Sequence, residues 1–378
     1  MYQLSEELVM LRDIVRRLAT EKIAPRAREI DATGEFPWDI KELLAKQELL
    51  GLPFPPEYGG SGAGEIALCV VVEEIAKVCA SSSLIVAVQT LGALPIMLAG
   101  TEEQKQRYLP KLASGEQLAA YALTEPSSGS DATVMSTRAE RVGGDYVLNG
   151  LKCFITNGGV ADVYTVFAAT NPELRGRGIS AFVVEKDRPG FRIGKIEDKM
   201  GIRGSQTSEL VFDDCRIPAE NLLGREGEGF RIAMATLDRS RPGIGAQAVG
   251  IAQGATDLAT QWAKQRVLFG GPLANLQAIQ FMLADMETQT AAARELVYKA
   301  ATLVDLGDKE MNKYSAMAKM FAADVAMRVT TDALQILGGP GYMKDLPLER
   351  MMRDAKITQI YEGTNQIQRL IVARNMLK

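Results

Sequence analysis

The stretch that decides the fold lies near the end of this 378-residue chain and reads Arg353-Asp354-Ala355-Lys356-Ile357-Thr358-Gln359-Ile360-Tyr361-Glu362-Gly363-Thr364-Asn365-Gln366-Ile367-Gln368. Apolar residues recur at helical spacing towards and beyond its end, at Ile367, Leu370 and Ile371. This spacing predicts a helix that begins near Thr364 or Asn365, and either residue can cap the helix N-terminus.

Glu362 holds an unusual position in this stretch. Gly363 frees the backbone for a tight turn just before the helix, so the Glu362 side chain is predicted to extend from that turn beside Ile360 and Tyr361. A carboxylate in apolar surroundings has a raised pKa and is suited to act as a base. From these residues alone, an exposed glutamate favoured by the helix dipole is the more frequent arrangement, so both interpretations stay open.

The composition indicates a soluble globular protein, with 47% hydrophobic and 24% charged residues in a chain large enough for two or three domains. The net charge of −4 argues against a nucleic-acid partner. We expect no membrane association, because no apolar run reads as long enough to span a bilayer. The acidic start has no signal or transit character, and the scattered cysteines indicate buried free thiols in a reducing cytoplasm. They are Cys69, Cys79, Cys153 and Cys215.

Several kinds of chemistry are excluded by residues that the chain lacks. It has no histidine, which removes Ser-His and Cys-His nucleophiles, imidazole acid-base chemistry and histidine-ligated metals. Phosphate loops of the Walker type and a GxGxxG motif after a strand are also missing, and the Gly-rich segment 59–64 fails the spacing. Proton chemistry in this protein must therefore use carboxylates, lysine, tyrosine or cysteine.

The chain divides into a helical, a β and a second helical region. Residues 1–117 show helical periodicity, with a helix broken at Pro25, a buried helix from Ile66 to Cys79, and a helix that starts at Thr101 and ends at Pro110. Residues 118–228 are rich in β-branched and aromatic runs, and Asn149-Gly150 predicts a hairpin between two of them.

Long alanine-rich helical stretches follow in residues 229–378 and predict an antiparallel four-helix bundle. The order of helices, strands and helices favours an α+β fold rather than alternating βαβ units. We therefore expect an N-terminal α-helical domain, a middle antiparallel β-barrel or sandwich domain, and a C-terminal bundle.

Several motifs, in order and spacing, resemble the acyl-CoA dehydrogenase family over the whole chain. Residues 121–131, Tyr-Ala-Leu-Thr-Glu-Pro-Ser-Ser-Gly-Ser-Asp, resemble the first family signature, and residues 353–368 resemble the second. Three shorter segments between the two signatures also resemble the family: Phe154 to Asn157, Arg266 to Gly270 and Gln335 to Gly339. The resemblance implies an FAD-dependent enzyme that forms a 2,3-double bond in acyl-CoA thioesters, with Glu362 as its catalytic base.

The resemblance also implies which residues hold FAD. In the middle region Phe154, Ile155 and Thr156 match the flavin-ring contacts, although the family more often has tryptophan at position 154. The other matching contacts of that region are Leu123, Thr124, Gly129 and Ser130. A second set matches contacts across a dimer interface or just after the base: Arg266, Phe269, Gln277, Gln335, Gly338, Gly339, Thr364 and Gln366. The family's homotetramer, a dimer of dimers, is implied.

For the acyl-CoA substrate, the matching residues are Ser130, Asp238, Arg241, Gly363 and Arg374. Isovaleryl-type relatives place their base at the position of Ser240, so a serine there favours Glu362 as the only base. The middle and C-terminal regions resemble bacterial short-chain, butyryl-type enzymes, and a short-chain or branched substrate is expected.

The resemblance implies that an electron-transferring flavoprotein accepts the electrons. Medium-chain or alicyclic carboxyl-CoA substrates, an oxygen-using acyl-CoA oxidase, and a non-catalytic flavoprotein are the alternatives.

Overall fold

The computed structural model describes residues 4–377, and its first 113 residues are mostly helical. Ser5 caps the first helix by accepting a hydrogen bond from the Leu8 N–H, and Thr101 and Gln104 form a reciprocal capping box at the start of the sixth. The helices are α1 (Glu6–Leu18), α2 (Ala27–Thr33), α3 (Trp38–Lys46), α4 (Gly64–Ala76), α5 (Ala80–Ala99) and α6 (Glu102–Ala113).

A sheet of eight strands follows. The strands are β1 (Ala119–Ala122), β2 (Arg138–Val142), β3 (Asp145–Thr156), β4 (Val163–Ala169), β5 (Ile179–Glu185), β6 (Phe191–Ile196), β7 (Thr207–Pro218) and β8 (Leu222–Leu223). Seven of them run in the order β6-β7-β3-β2-β4-β5-β8, and β1 pairs with β4. Most pairs are antiparallel, but β1 runs parallel to β4, and β2 meets β4 in a parallel bridge. The predicted β domain is therefore present and mainly antiparallel, and the two parallel pairs make its sheet a mixed one.

The C-terminal region is again helical, and the α+β fold class is confirmed. It contains α7 (Gly229–Gln265), the two-stranded ribbon of β9 (Val267–Leu268) and β10 (Gly271–Pro272), and then α8 (Gln277–Asp305), α9 (Met311–Leu337), α10 (Gly339–Tyr342), α11 (Leu348–Thr358) and α12 (Asn365–Met376). Short 3₁₀ or π turns connect elements at Ala19–Ile23, Ala24–Arg26, Pro56–Tyr58, Pro172–Gly178, Ala219–Asn221 and Leu273–Asn275.

Helix α7 joins the helical regions into one core. It packs against α4, α5, α8, α9 and α11, and it also contacts β4 and β5. Two of its glycines permit a close approach to α4, because a Cβ at Gly250 would lie 2.3 Å from the Glu73 carbonyl oxygen and one at Gly254 would lie 2.2 Å from that of Lys77. The first half of α7 contacts the turn that carries Glu362 through the Ser240 hydroxyl.

Two local predictions were wrong because tertiary pairing overrides a local signal. Asn149-Gly150 is a bulge inside the continuous strand β3, opposite β7, and the β2–β3 hairpin turns instead at Gly143-Gly144. Helix α6 runs through Pro110 to Ala113 rather than ending at the proline.

The expectation that no apolar run is long enough to span a bilayer was also wrong, because one helix is long and apolar enough to do so. Helix α5 has 20 residues, with a window of mean hydropathy 1.8. Within the protein, 83% of that window is buried, and α5 packs against α4, α6, α7 and β1. It is a core helix of the fold, and its apolar surface is covered by the other elements.

A buried ion pair fixes the loop that follows β1. The Lys152 ammonium donates to Glu125 Oε1 at 2.7 Å, and both side chains are fully buried. Glu125 also accepts the backbone N–H groups of Ser136 and Thr137, and Lys152 donates to the Leu123 carbonyl. Burial lowers the pKa of Lys152 to about 8, with the Glu125 carboxylate opposing that shift. One buried pair therefore ties strand β3 to both ends of the 123–137 loop.

We expect Lys152→Met to destabilise the protein by about 3–5 kcal/mol, because it leaves the Glu125 carboxylate buried without its cation. The matched control is Lys186→Met, which breaks the exposed pair with Asp162 (2.6 Å) and should cost less than about 1 kcal/mol. Thermal unfolding of both variants is the measurement. Equal losses in the two variants would show that the buried pair does not hold this region.

Candidate active site

Glu362 lies in a tight turn between α11 and α12, with a left-handed backbone (φ 52°) that non-glycine residues rarely adopt. Gly363 follows with φ 90°, and the Thr364 hydroxyl caps α12 by accepting the Ile367 N–H at 3.3 Å. The predicted turn and cap are therefore confirmed. Such a strained residue persists only where its surroundings hold it, and strain of this kind is concentrated at functional sites.

The Glu362 carboxylate is partly buried and contacts helix α7. Ser240 donates its hydroxyl to Glu362 Oε2 at 2.7 Å. Burial raises the pKa of Glu362 above its ordinary value, although the Ser240 hydroxyl, the Arg241 guanidinium and the Lys319 ammonium each oppose that rise. The sequence expectation of a carboxyl group with a raised pKa at this position agrees with this environment.

Side chains from two helices hold the carbonyl groups of the turn. From α12, the Gln368 amide donates to the carbonyls of Glu362 (3.2 Å) and Gly363 (2.9 Å). From α9, the Lys319 ammonium donates to the Gly363 carbonyl at 2.8 Å and to Asn365 Oδ1 at 3.1 Å. The position of Glu362 is therefore set by side chains of both neighbouring helices.

Asp238 and Arg241 form an ion pair of 2.6 Å on the same stretch of α7. The Arg241 side chain is buried, and Asn312 of α9 donates to the same Asp238 oxygen at 2.7 Å. The Nε of Arg241 is buried without a hydrogen-bond partner in the described part of the chain. Both predicted substrate residues thus lie on the α7 segment that contacts Glu362, but their charges are paired with each other.

A second buried carboxyl group faces the site from α4. Burial raises the pKa of Glu65 well above its usual range, and the Asp305 and Glu362 carboxylates raise it further. Asp305 is itself occupied at the start of α4, where it accepts the N–H groups of Glu65 (2.6 Å) and Ile66 (3.1 Å). Burial and the neighbouring carboxylates therefore disfavour the ionised form of Glu65.

The predicted flavin contacts of the middle region lie together around β1, β3 and the loop between β1 and β2. Phe154 is 65% exposed although it is an aromatic residue within a strand, and its φ of 56° coincides with a register irregularity between β3 and β7. Ile155 is buried beneath it, and the Thr124 carbonyl accepts the Cys153 N–H. Gly129 and Ser130 are exposed in the loop, and a Cβ at Gly129 would meet no atom within 4 Å.

The second set of predicted FAD contacts lies elsewhere, around the β9–β10 ribbon and the end of α9. Phe269 at the tip of the ribbon is 92% exposed with φ 50°, and Arg266 is exposed at the end of α7. Other exposed members of this set are Gln277, Gln335, Gly338 and Gly339. In the described part of the chain, no hydrogen bond joins these residues to Phe154, Ile155 or Thr156.

Two predicted residues on α12 have no contact with the base. Gln366 is exposed in the first turn, and Arg374 is exposed in the last turn. Among residues 4–377, neither side chain donates a hydrogen bond to Glu362 or Gly363.

Lys319, Gln368 and Glu65 were not predicted from the sequence as residues of the site. Ser240 was considered only as the position at which isovaleryl-type relatives place their base. A buried lysine within an apolar helix was the one signal available for Lys319.

Comparison with known proteins identifies the family. Three sequence models of the acyl-CoA dehydrogenase family match the chain. The N-terminal domain model matches residues 5–116, the middle domain model matches residues 120–215, and the C-terminal domain model matches residues 227–377. The chain therefore belongs to the acyl-CoA dehydrogenase family. Members of this family are FAD-dependent oxidoreductases, so this protein is an enzyme of that class and its cofactor is FAD.

Three similar proteins illustrate the range of the family. Cyclohex-1-ene-1-carbonyl-CoA dehydrogenase of Geobacter metallireducens is 53% identical over 379 residues, which cover 100% of both chains. Butyryl-CoA dehydrogenase of Megasphaera elsdenii superposes with a TM-score of 0.97 at 46% identity and 100% coverage of both chains. A structure described as the electron transferring flavoprotein of Acidaminococcus fermentans superposes with a TM-score of 0.98 at 49% identity, also with 100% coverage of both chains.

The middle-region residues fit FAD. An exposed aromatic ring at Phe154 offers a flat apolar surface for an isoalloxazine ring, and the open space at Gly129 lets a phosphate approach the loop backbone. No group of three or more His, Cys, Asp or Glu side chains that could hold a metal ion occurs among the residues that the structure describes.

We expect Phe154→Ala to weaken FAD binding roughly two- to twelve-fold, which corresponds to the free energy of one aromatic stacking contact. Because the ring is exposed in the protein without FAD, the substitution should leave the unfolding temperature of that form unchanged. Titration of the apoprotein with FAD measures the effect, with Trp38→Ala as the control for an exposed aromatic residue distant from this surface. Equal FAD affinity in Phe154→Ala and wild type would remove Phe154 from the flavin site.

Proposed function

We propose that this protein oxidises an acyl-CoA thioester to the trans-2-enoyl-CoA, with Glu362 as the base that removes the α-proton. The observation that carries the proposal is the Glu362 carboxyl group itself, held in a strained turn, partly buried, and hydrogen-bonded to Ser240. Burial raises its pKa towards the range in which a carboxylate accepts a proton effectively. The chain contains no histidine that could take this role.

The residues of the turn have separate tasks in this reaction. The Glu362 carboxylate takes the proton from the α-carbon. Within residues 4–377 the backbone N–H of Glu362 donates no hydrogen bond, so it is available to a thioester carbonyl whose oxygen gains negative charge. FAD, when bound, would supply the acceptor for the hydride that leaves the β-carbon as the double bond forms. Binding of the acyl chain displaces water, which strengthens the basicity of Glu362.

The proposed substrate class is a short straight or methyl-branched acyl-CoA. The similarity to butyryl-CoA dehydrogenase over the whole chain supports it. Glutaryl-specific relatives carry an arginine near the position of Ser81-Ser82-Ser83, where this chain has three small buried hydroxyl residues, so a second carboxylate on the substrate would find no cation there. The alternative is an alicyclic carboxyl-CoA, and the observation that favours it is the 53% identity to the cyclohexene-carbonyl-CoA enzyme.

We also propose that the active enzyme is a homotetramer in the cytoplasm that passes its electrons to an electron-transferring flavoprotein. The exposed Phe269 and Arg266 support assembly, since an apolar ring at the tip of a ribbon is suited to a partner subunit rather than to water. The similarity to the Acidaminococcus structure supports a link to electron-transferring flavoproteins. Light scattering of the FAD-loaded protein tests the assembly, and a monomer would contradict it.

We expect Glu362→Gln to retain FAD and bind acyl-CoA but to reduce turnover by about 10²–10⁴-fold, because an amide cannot accept the α-proton. In the wild type the rate should fall as the pH drops through the pKa of Glu362, since only the ionised carboxylate acts as a base. Stopped-flow measurement of flavin reduction under anaerobic conditions checks both expectations.

The matched control is Glu65→Gln, which changes the other buried carboxyl group that faces the site and should keep turnover within tenfold of wild type. Wild-type turnover in Glu362→Gln would show that this residue is not the base. A loss of turnover confined to Glu65→Gln would identify Glu65 of α4 as the base instead.

A further inference from the structure

Lys319 is a charged residue that the reaction as described above does not use. Its side chain is fully buried in α9, and in the described part of the chain no carboxylate oxygen lies within the 4.0 Å range of a salt bridge to its ammonium group. A buried ammonium without an ion-pair partner is costly to a fold. The two hydrogen bonds that it does make, to the Gly363 carbonyl and to Asn365 Oδ1, both end on the turn that carries Glu362.

The turn is an element that needs such support. Glu362 and Gly363 are both left-handed, with φ of 52° and 90°. Two donors from different helices, Lys319 and Gln368, converge on the Gly363 carbonyl. Asn365, the second partner of Lys319, also donates to Asp324 at 2.8 Å, so α9 holds the start of α12 at two points along its length.

Two cations face the Glu362 carboxylate, and they are not equivalent. Arg241, which lowers the pKa of Glu362 more than Lys319 does, is paired with Asp238 at 2.6 Å. Lys319 has no carboxylate within salt-bridge distance in the described part of the chain, and burial lowers its pKa to about 7, although the Glu362 and Asp324 carboxylates oppose that shift. Of the two cations, Lys319 is the one that also hydrogen-bonds the turn.

The groups around the pair come from every element packed against it. The titratable and charged groups that face Glu362 are Glu65 of α4, Tyr121 of β1, Arg241 of α7, Lys319 of α9 and Tyr361 of its own turn. Those that face Lys319 are Glu362, Arg241 and Asp324. Burial raises the pKa of Glu65, Tyr121 and Tyr361, which favours their uncharged forms. Arg241 and Lys319 are therefore the two cations that face the base.

We propose that Lys319 is a positioning residue for the base, which fixes the Glu362 turn through two hydrogen bonds and, in its ammonium form, favours the ionised carboxylate. This inference rests on the proposed role of Glu362. The substrate need not touch Lys319, because the ammonium acts through the Gly363 carbonyl and through the electric field at Glu362.

The test separates charge from structure by three substitutions. Lys319→Met removes the charge and both hydrogen bonds, Lys319→Gln removes the charge but keeps a donor, and Lys319→Arg keeps the charge. The control is Arg369→Met, which neutralises an exposed cation bonded to Asp324 in the same network at 3.0 Å. For each FAD-loaded variant, the rate of flavin reduction by butyryl-CoA or another reactive acyl-CoA is measured against pH, together with FAD content and unfolding temperature.

Loss of a nearby positive charge raises the pKa of a carboxyl group, so the acid limb of the rate profile should move to higher pH. We expect Lys319→Gln and Lys319→Met to shift its midpoint upward by about one pH unit, which makes reduction about tenfold slower well below the midpoint. Lys319→Arg should restore the wild-type midpoint, and Arg369→Met should not move it.

The same rate loss at every pH in Lys319→Gln, or an unchanged profile, would overturn the proposal. If Lys319→Met does not fold, the glutamine and arginine variants still decide the question. Failure of the underlying function is distinguishable, because wild-type turnover in Glu362→Gln would refute the base itself whatever Lys319 does.

Discussion

The proposed function depends on one constraint, that the partly buried Glu362 carboxylate be ionised. Glu362 can accept a proton only if nearby donors and cations replace part of its hydration. The Ser240 hydroxyl bonds it directly, and Lys319 and Arg241 lie on the two long helices that pass the turn. Helices α7 and α9 pack against each other, and Ser240, Arg241 and Lys319 are polar residues buried in this alanine-rich core.

The middle sheet meets a different requirement, a rigid platform at its edge. Phe154 lies where the pairing of β3 and β7 is irregular, and the buried Lys152–Glu125 pair anchors the neighbouring loop to the same strand. The helical core and the sheet are connected through α7, which contacts β4 and β5 before it enters the bundle. In the proposed reaction, a flavin beside Phe154 and the Glu362 carboxylate would act on adjacent carbons, which requires a fixed relation between the sheet and the bundle.

Much of this arrangement could be predicted from the sequence, because its signals are local. The Thr364 cap, the turn at Gly363 and the buried helix α4 each follow from a few neighbouring residues. The prediction of a hairpin at Asn149-Gly150 was wrong because pairing with β7 overrides a strong local turn signal. The predicted end of α6 was wrong because the helix continues through Pro110. The partners of Glu362 could not be predicted, since Ser240 lies 122 positions away and Lys319 reaches a carbonyl 44 positions away. Only the fold brings these groups together.

The most direct test of the central claim is to mix the FAD-loaded protein anaerobically with a panel of acyl-CoA thioesters and follow the visible flavin band. The account predicts bleaching by short straight or branched acyl-CoAs. Bleaching restricted to alicyclic carboxyl-CoAs would keep the chemistry and change the substrate class. No bleaching by any thioester in protein with a full complement of FAD would contradict the assignment of Glu362 as a base acting on acyl-CoA.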